Sequence, residues 1–254
     1  MHVLRKISLS IVCLALAAGA ARASEWLLED AKTGSVERRI EAMLTLAYAG
    51  NRAVFWICVD NLGRVSSDES GSTREERLRR AAAESLGRLR DARAVPYLVA
   101  RYGEEKKVLV KKSIVYALSR FRHKDALPVI RDALSSGEDD LAFEGARAAS
   151  ASGNREFAGL LKDLAAKAGE GRVRAMALYA LVTLGEDADA NAAALGAYLG
   201  MKDPELRYWA AVLLNEAHRK DQLLPMLRAR EIESVEWVKR ALDESIARLA
   251  AYRE

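Results

Sequence analysis

Leu78-Arg79-Arg80-Ala81-Ala82-Ala83-Glu84-Ser85-Leu86-Gly87-Arg88-Leu89 is followed at once by Arg90-Asp91-Ala92-Arg93-Ala94-Val95-Pro96-Tyr97-Leu98. One repeat later, Val110-Lys111-Lys112-Ser113-Ile114-Val115-Tyr116-Ala117-Leu118-Ser119-Arg120-Phe121 falls beneath the first part, and Ala126-Leu127-Pro128-Val129-Ile130 beneath Ala94 to Leu98. The register continues. The position of Leu86 recurs at near-constant spacing at Leu118, Ala149, Leu181, Leu214 and Ile246. A copy starting at Val36 places Leu44 there, at a wider spacing from Leu86. Its surplus is the polar stretch Ser66-Ser67-Asp68-Glu69-Ser70-Gly71-Ser72, which reads as an enlarged surface loop. Seven copies of the first segment are countable. A fixed period of this length is the signature of a stacked array, because one unit cannot bury its apolar face alone.

Each copy carries two helical patterns. Val173, Ala177, Ala180, Leu181 and Leu184 follow the spacing of a buried helix face. Gly50, Gly153 and Gly185 stand where that helix should end and a C-terminal cap is wanted. A second helix comes next, expected over 92–102 and 124–135. Pro96, Pro128 and Pro225 fall in or near the first turn of such helices, where a missing N–H costs little. Asp203-Pro204 reads as an N-cap followed by the first helical residue. Ala, Leu, Arg and Glu dominate a chain with only four prolines, a composition that favours helix over sheet. The segment 237–253 should cap the C-terminal end of the array.

This pattern resembles the HEAT family in its short bacterial, phycobilisome-lyase-like form. The residues that carry the resemblance are a hydrophobic residue and Arg or Lys, then small residues ending in Ala/Ser-Leu, a polar turn, and Ala-Val/Leu-Pro-x-Leu/Ile. The resemblance implies an all-α, right-handed α-α superhelix, a HEAT/armadillo-type solenoid of about six to seven helix pairs. It is specific for fold and silent on function. The copy at Leu141 departs from the motif: Ala142 replaces the basic residue and Ala149 the leucine, so that pair should pack more thinly.

The segment 1–23 reads as a signal peptide, and 24–254 as the solenoid. Arg5 and Lys6 precede an uncharged run from Ile7 to Ala21, and Ala21-Arg22-Ala23 matches the small-x-small cleavage pattern, with the cut between Ala23 and Ser24. The alternative is a retained anchor, but the run is shorter than the roughly 20 residues of a spanning helix. The expected localisation is therefore periplasmic or secreted. Loss of Arg5, Lys6 and Arg22 would lower the net charge from +4 to +1. A nearly neutral chain lacks the concentrated positive field that nucleic acid demands. Beyond the signal, Cys58 stands alone within Val54-Phe55-Trp56-Ile57-Cys58-Val59, the setting of a buried thiol.

No motif for chemistry emerges, and we expect neither enzyme activity, cofactor nor metal. His123 and His218 sit in turns between helices, without a Cys, His or carboxylate at metal-ligand spacing. There is no His-Glu pair, so the ligands of the di-iron HEAT enzymes are missing. No Gly-rich phosphate loop or nucleophile elbow occurs. Arg74-Glu75-Glu76-Arg77 and Glu104-Glu105-Lys106-Lys107 read as solvated helix starts.

The resemblance further implies that the second helix of each pair lines the concave surface. We assign to that set the helices starting at Leu78, Val110, Leu141, Val173 and Leu206. Their third and seventh positions give Arg80, Lys112, Tyr116, Phe143, Arg147, Tyr179 and Tyr208 as binding candidates, and the fourth adds Met176 and Trp209. Exposed aromatics among Arg and Lys suit a protein-binding surface. The same rings could instead pack between neighbouring repeats. Trp26 and Trp56 are expected in the core of the first repeat. Arg79, Lys111, Arg174, Arg207 and Lys239 should bridge adjacent repeats. The expected function is a non-catalytic protein–protein interaction scaffold that binds a protein or peptide partner. The alternative is a small-ligand-binding or enzyme-accessory protein of the bilin-lyase-like kind.

Overall fold

Apolar stripes at helical spacing, interrupted every few turns by capped breaks, fold into a succession of short helices. The computed structural model describes residues 22–64, 69–169 and 171–252, with side chains for all but 69–72. Helix α1 covers residues 22–33. It is followed by α2 (Val36–Tyr48), α3 (Phe55–Leu62), α4 (Glu69–Leu89), α5 (Ala94–Glu104) and α6 (Val108–Leu118). Then come α7 (Leu127–Leu134), α8 (Asp139–Ser152), α9 (Ala158–Lys167) and α10 (Arg172–Thr183). The chain closes with α11 (Ala188–Gly196), α12 (Pro204–Glu216), α13 (Leu223–Ile232) and α14 (Glu236–Ala251). No strand occurs among the described residues.

The helices form two compact units divided between Ala117 and Leu118. In the first, α2 packs on α4, and α3 and α5 lie against α4. In the second, α8, α10, α12 and α14 form one layer, each packed on the next, while α9 and α11 flank α10 and α13 flanks α14. This is the helix-pair stacking of an all-α solenoid. Its core is the motif leucine: Leu86, Leu118, Leu181 and Leu214 are all buried, and so is Ala149 in their place. Ile246, in the last copy, is only half-buried.

The turns repeat as faithfully as the helices. Gly50, Gly153 and Gly185 have φ of 69°, 68° and 74°, the left-handed cap expected of them. Arg90 and His218 adopt the same region at φ 50° and 53° without being glycine. After three of these turns, the next side chain caps the following segment. Asn51 accepts from the Ala53 N–H, Asp91 from Arg93 and Asn154 from Glu156. His123 takes this role with its ring, Nδ1 accepting from the Asp125 N–H at 3.2 Å. Single 3-10 turns at Arg52–Val54, Lys124–Ala126, Arg155–Phe157 and Lys220–Gln222 lead into the second helices. Asp203 caps α12 through the Glu205 N–H, with Pro204 at its first position.

Three expectations are corrected. The first copy is in register through Leu46, not Leu44. In that register Arg39, Ala42 and Leu46 superpose on Arg79, Ala82 and Leu86, and all six are buried, whereas Leu44 is half-exposed. The buried, charged Arg39 disguises the stripe; it donates to Asn61 Oδ1, whose amide in turn donates to Ile57 O. The stretch 66–72 is not all loop, since α4 begins at Glu69, and 66–68 lie outside the described residues. Trp26 and Trp56 are not core but 72% and 53% exposed. Of the expected signal segment, residues 1–21 lie outside the described residues. Arg22 and Ala23 belong to α1, and Ser24 is tied to the fold by Asn51 Nδ2, which donates to its Oγ at 2.6 Å.

Two of the expected bridging arginines do bridge. Arg79 donates to Glu105 at 2.9 Å and Arg207 to Glu233 at 2.6 Å, each linking one repeat to the approach of the next. Glu105 also receives Arg101, and burial alone would raise its pKa. The Lys107 N–H, Arg101 and Arg79 outweigh that penalty and hold it below the usual range. Hydrogen bonding from Arg207 likewise keeps Glu233 low.

Candidate binding surface

In the first unit, Arg80, Lys112 and Tyr116 are half-buried on α4 and α6. Further along α4, the Arg88 guanidinium donates to Glu84 at 2.8 Å and lies 3.7 Å from the Tyr48 ring centroid. This makes a covered cation next to an exposed tyrosine.

The second unit gathers the aromatic candidates. Trp209 on α12 meets Phe143 on α8 edge to face at 5.1 Å. The two rings touch across α10 because the intervening third position is Ala175, which is fully covered. Tyr208 lies 5.6 Å from Trp209 and 5.5 Å from Trp237 of α14. One aromatic cluster thus runs through Phe143, Trp209, Tyr208 and Trp237, with Arg172 stacked over its Phe143 end at 5.6 Å and paired with Asp140.

Exposure sorts these residues. Tyr208 and Trp209 are half-exposed, and Trp237 is 48% exposed. Phe143 is not a surface candidate: at 5% exposure it is covered by Trp209 and Arg172. Met176 is not one either, at 1% exposure. Its position falls on the buried stripe of Val173, Ala177 and Ala180, so it points into the core. On α12 the same position holds Trp209, whose indole is too large to follow and whose Nε1–H donates to Glu205 at 3.4 Å. Sequence reasoning misses Trp237, because it precedes the first motif position of the last copy and reads as part of a terminal cap.

Alongside the rings runs a polar strip. Arg147 donates to the buried Glu144 one turn before it. Ser150 and Thr183 share a hydrogen bond at 2.8 Å between α8 and α10. Tyr179 is half-buried, and loss of solvent pushes its hydroxyl pKa up, with Glu216 reinforcing the shift. Loss of solvent also lifts the Glu216 carboxyl, against the pull of Arg147 and of the Tyr179 hydrogen bond. Arg147 and Tyr179 therefore belong to one strip adjoining the aromatic cluster. No group of three or more His, Cys, Asp or Glu in metal-holding geometry occurs among the described residues. No described helix is long and apolar enough to cross a membrane.

Paired helices stacked through a repeated leucine, with a side-chain surface built across successive pairs, define an α-α repeat protein. The sequence profile of HEAT repeats matches residues 24–119 and 106–182, and the chain belongs to the HEAT-repeat family. Among solved structures, it is similar to a chain in the complex of CpcE and CpcF of phycocyanin lyase from Nostoc sp. PCC7120. The TM-score is 0.67 at 19% identity, covering 89% of this chain and 94% of that one. Human deoxyhypusine hydroxylase is matched at a TM-score of 0.40 and 17% identity, over 91% of this chain and 85% of that one. No curated protein matches the chain.

Proposed function

We propose that this protein is an exported, non-catalytic interaction scaffold of the periplasm or extracellular space. It binds a partner protein or extended peptide on the face that α8, α10, α12 and α14 build in the second unit. The carrying observation is the partly exposed Tyr208, Trp209 and Trp237 cluster, bordered by Arg147, Tyr179 and Glu216. Large, rigid rings that give up little rotamer entropy, set beside a charged rim, are the anchors that protein interfaces use. The similar lyase chain is itself found in a complex of CpcE and CpcF, which supports a role in assembly. The segment before Ser24 has the composition of an export signal.

The test is affinity capture from periplasmic extract, read by mass spectrometry, with the parent and a Tyr208→Glu/Trp237→Glu variant. Phe143 is left intact because it is buried. A partner held by the parent and lost by the variant, with unchanged helical circular dichroism, is the expected result. An identical captured set from both proteins would remove the surface from consideration.

A further inference from the structure

Helix α8 carries small residues at two positions of the repeat. Ala149 stands where the other copies have Leu86, Leu118, Leu181 and Leu214, and Ser152 where three of them have Leu89, Phe121 and Leu184 and the fourth has Ala217. Beside its C-terminal end lies a cavity of about 240 Å³. Leu118, Phe121, Leu127 and Ile130 form apolar walls, and Ser152 lines the cavity with them. At the solvent edge are Arg122 and Lys124, both exposed.

The charge of this cavity is one-sided. None of its lining residues is acidic. Arg122 Nε donates to Ala151 O at 3.2 Å, which fixes the base of the guanidinium. Neither Arg122 nor Lys124 has a carboxylate partner among the described residues, whereas His123 is occupied, its Nδ1 taking the Asp125 N–H and lying 3.7 Å from the Asp125 carboxylate. A second cavity of about 350 Å³, between α9 and the start of α8, shows the contrast: Asp139 and Asp163 outnumber Lys167 there. An apolar pocket with a few convergent polar groups is the usual form of a small-molecule site. Uncompensated Arg and Lys select an anion.

We propose that the cavity beside α8 binds a small organic anion, a monocarboxylate carrying a compact apolar body. The apolar part lies among Leu118, Phe121, Leu127 and Ile130, and the carboxylate meets Arg122 and Lys124. An apolar cavity of about 150 Å³ accepts benzene, so this one has room for a ring and a short acid arm. The site is separate from the aromatic surface and stands or falls independently of it.

The experiment titrates the full chain with phenylacetate, and with 2-phenylethanol as its neutral counterpart, by ligand-observed NMR. Phenylacetate should saturate, and bind at least about tenfold more tightly than the alcohol, the margin of one charge-assisted contact. Arg122→Glu/Lys124→Glu should erase that preference. Ser152→Leu, which installs the leucine found at Leu89 and Leu184, should abolish binding of both compounds while circular dichroism stays helical. Absence of saturable phenylacetate binding, equal affinity for acid and alcohol, or undiminished binding by Ser152→Leu would each overturn the proposal.

Discussion

Cys58 illustrates how far a single residue can be read. Its apolar neighbours in the sequence announce burial, and the structure places it fully buried on α3. Burial pushes its thiol pKa up to about 12, opposed only by the neighbouring Ser85 hydroxyl. The thiolate is the nucleophile, so almost none is present at neutral pH. In protein that starts at Ser24, Cys58 should therefore resist iodoacetamide at pH 8 and be alkylated promptly in denaturant, as intact-mass measurement will show. Fast native labelling would mean that α3 opens readily. Other residues were less legible. Met176 and Phe143 look like surface candidates when the motif is read as fixed angular positions on ideal helices. What settles them is the size of a neighbour: Ala175 lets Trp209 reach Phe143, a relation between residues far apart in the chain. Arg39 misleads in the opposite way, because a buried arginine breaks the apolar stripe that periodicity looks for.

At the scale of helices, the repeat was legible almost in full, since the period, the capping glycines and the prolines each report a local requirement of the backbone. What the sequence could not show is how closely particular helices approach. Gly87 on α4 is such a place. A Cβ there would lie 2.8 Å from Ala117 Cα and 3.0 Å from Ala117 Cβ on α6. Glycine inside a helix costs roughly 0.5–1 kcal/mol relative to alanine, so its use here trades helix propensity for approach. Gly87→Ala should regain that propensity and still lose stability, by about 1–2 kcal/mol, because backbone rather than a flexible side chain must move. Chemical denaturation followed by far-ultraviolet circular dichroism measures it. A gain in stability would show that α4 and α6 can separate at no cost. Gly145 repeats the arrangement on α8, where a Cβ would lie 2.9 Å from Leu134 N, so close backbone contact recurs in the second unit.

Across the whole molecule, the buried bridges Arg79–Glu105 and Arg207–Glu233 recur in both units and couple stability to pH. Each ties one first-type helix to the chain just ahead of the next. Such a link adds to nearest-neighbour terms, which sum along a repeat protein. Both carboxylates are held below their ordinary range, Glu233 chiefly by Arg207, and Glu105 by its N–H and arginine donors despite the cost of burial. The unfolded chain, with glutamate near about 4.3, therefore binds protons at a higher pH than the folded one. The stabilisation is complete above that value and drains away as pH falls through the lower folded values. Replacing Glu233 with Gln removes the charge, keeps the shape, and leaves Arg207, itself mostly buried, without its counter-charge. The variant should unfold at lower denaturant than the parent at pH 7, by about 2–3 kcal/mol. The gap should narrow steadily below about pH 4, as the parent's own carboxylate becomes protonated. Urea midpoints at a series of pH values distinguish the causes: a narrowing gap assigns the effect to charge, and a constant one to packing. The charge result would make these bridges the electrostatic part of a stacking order whose apolar part is the buried motif position recurring from Leu86 to Leu214.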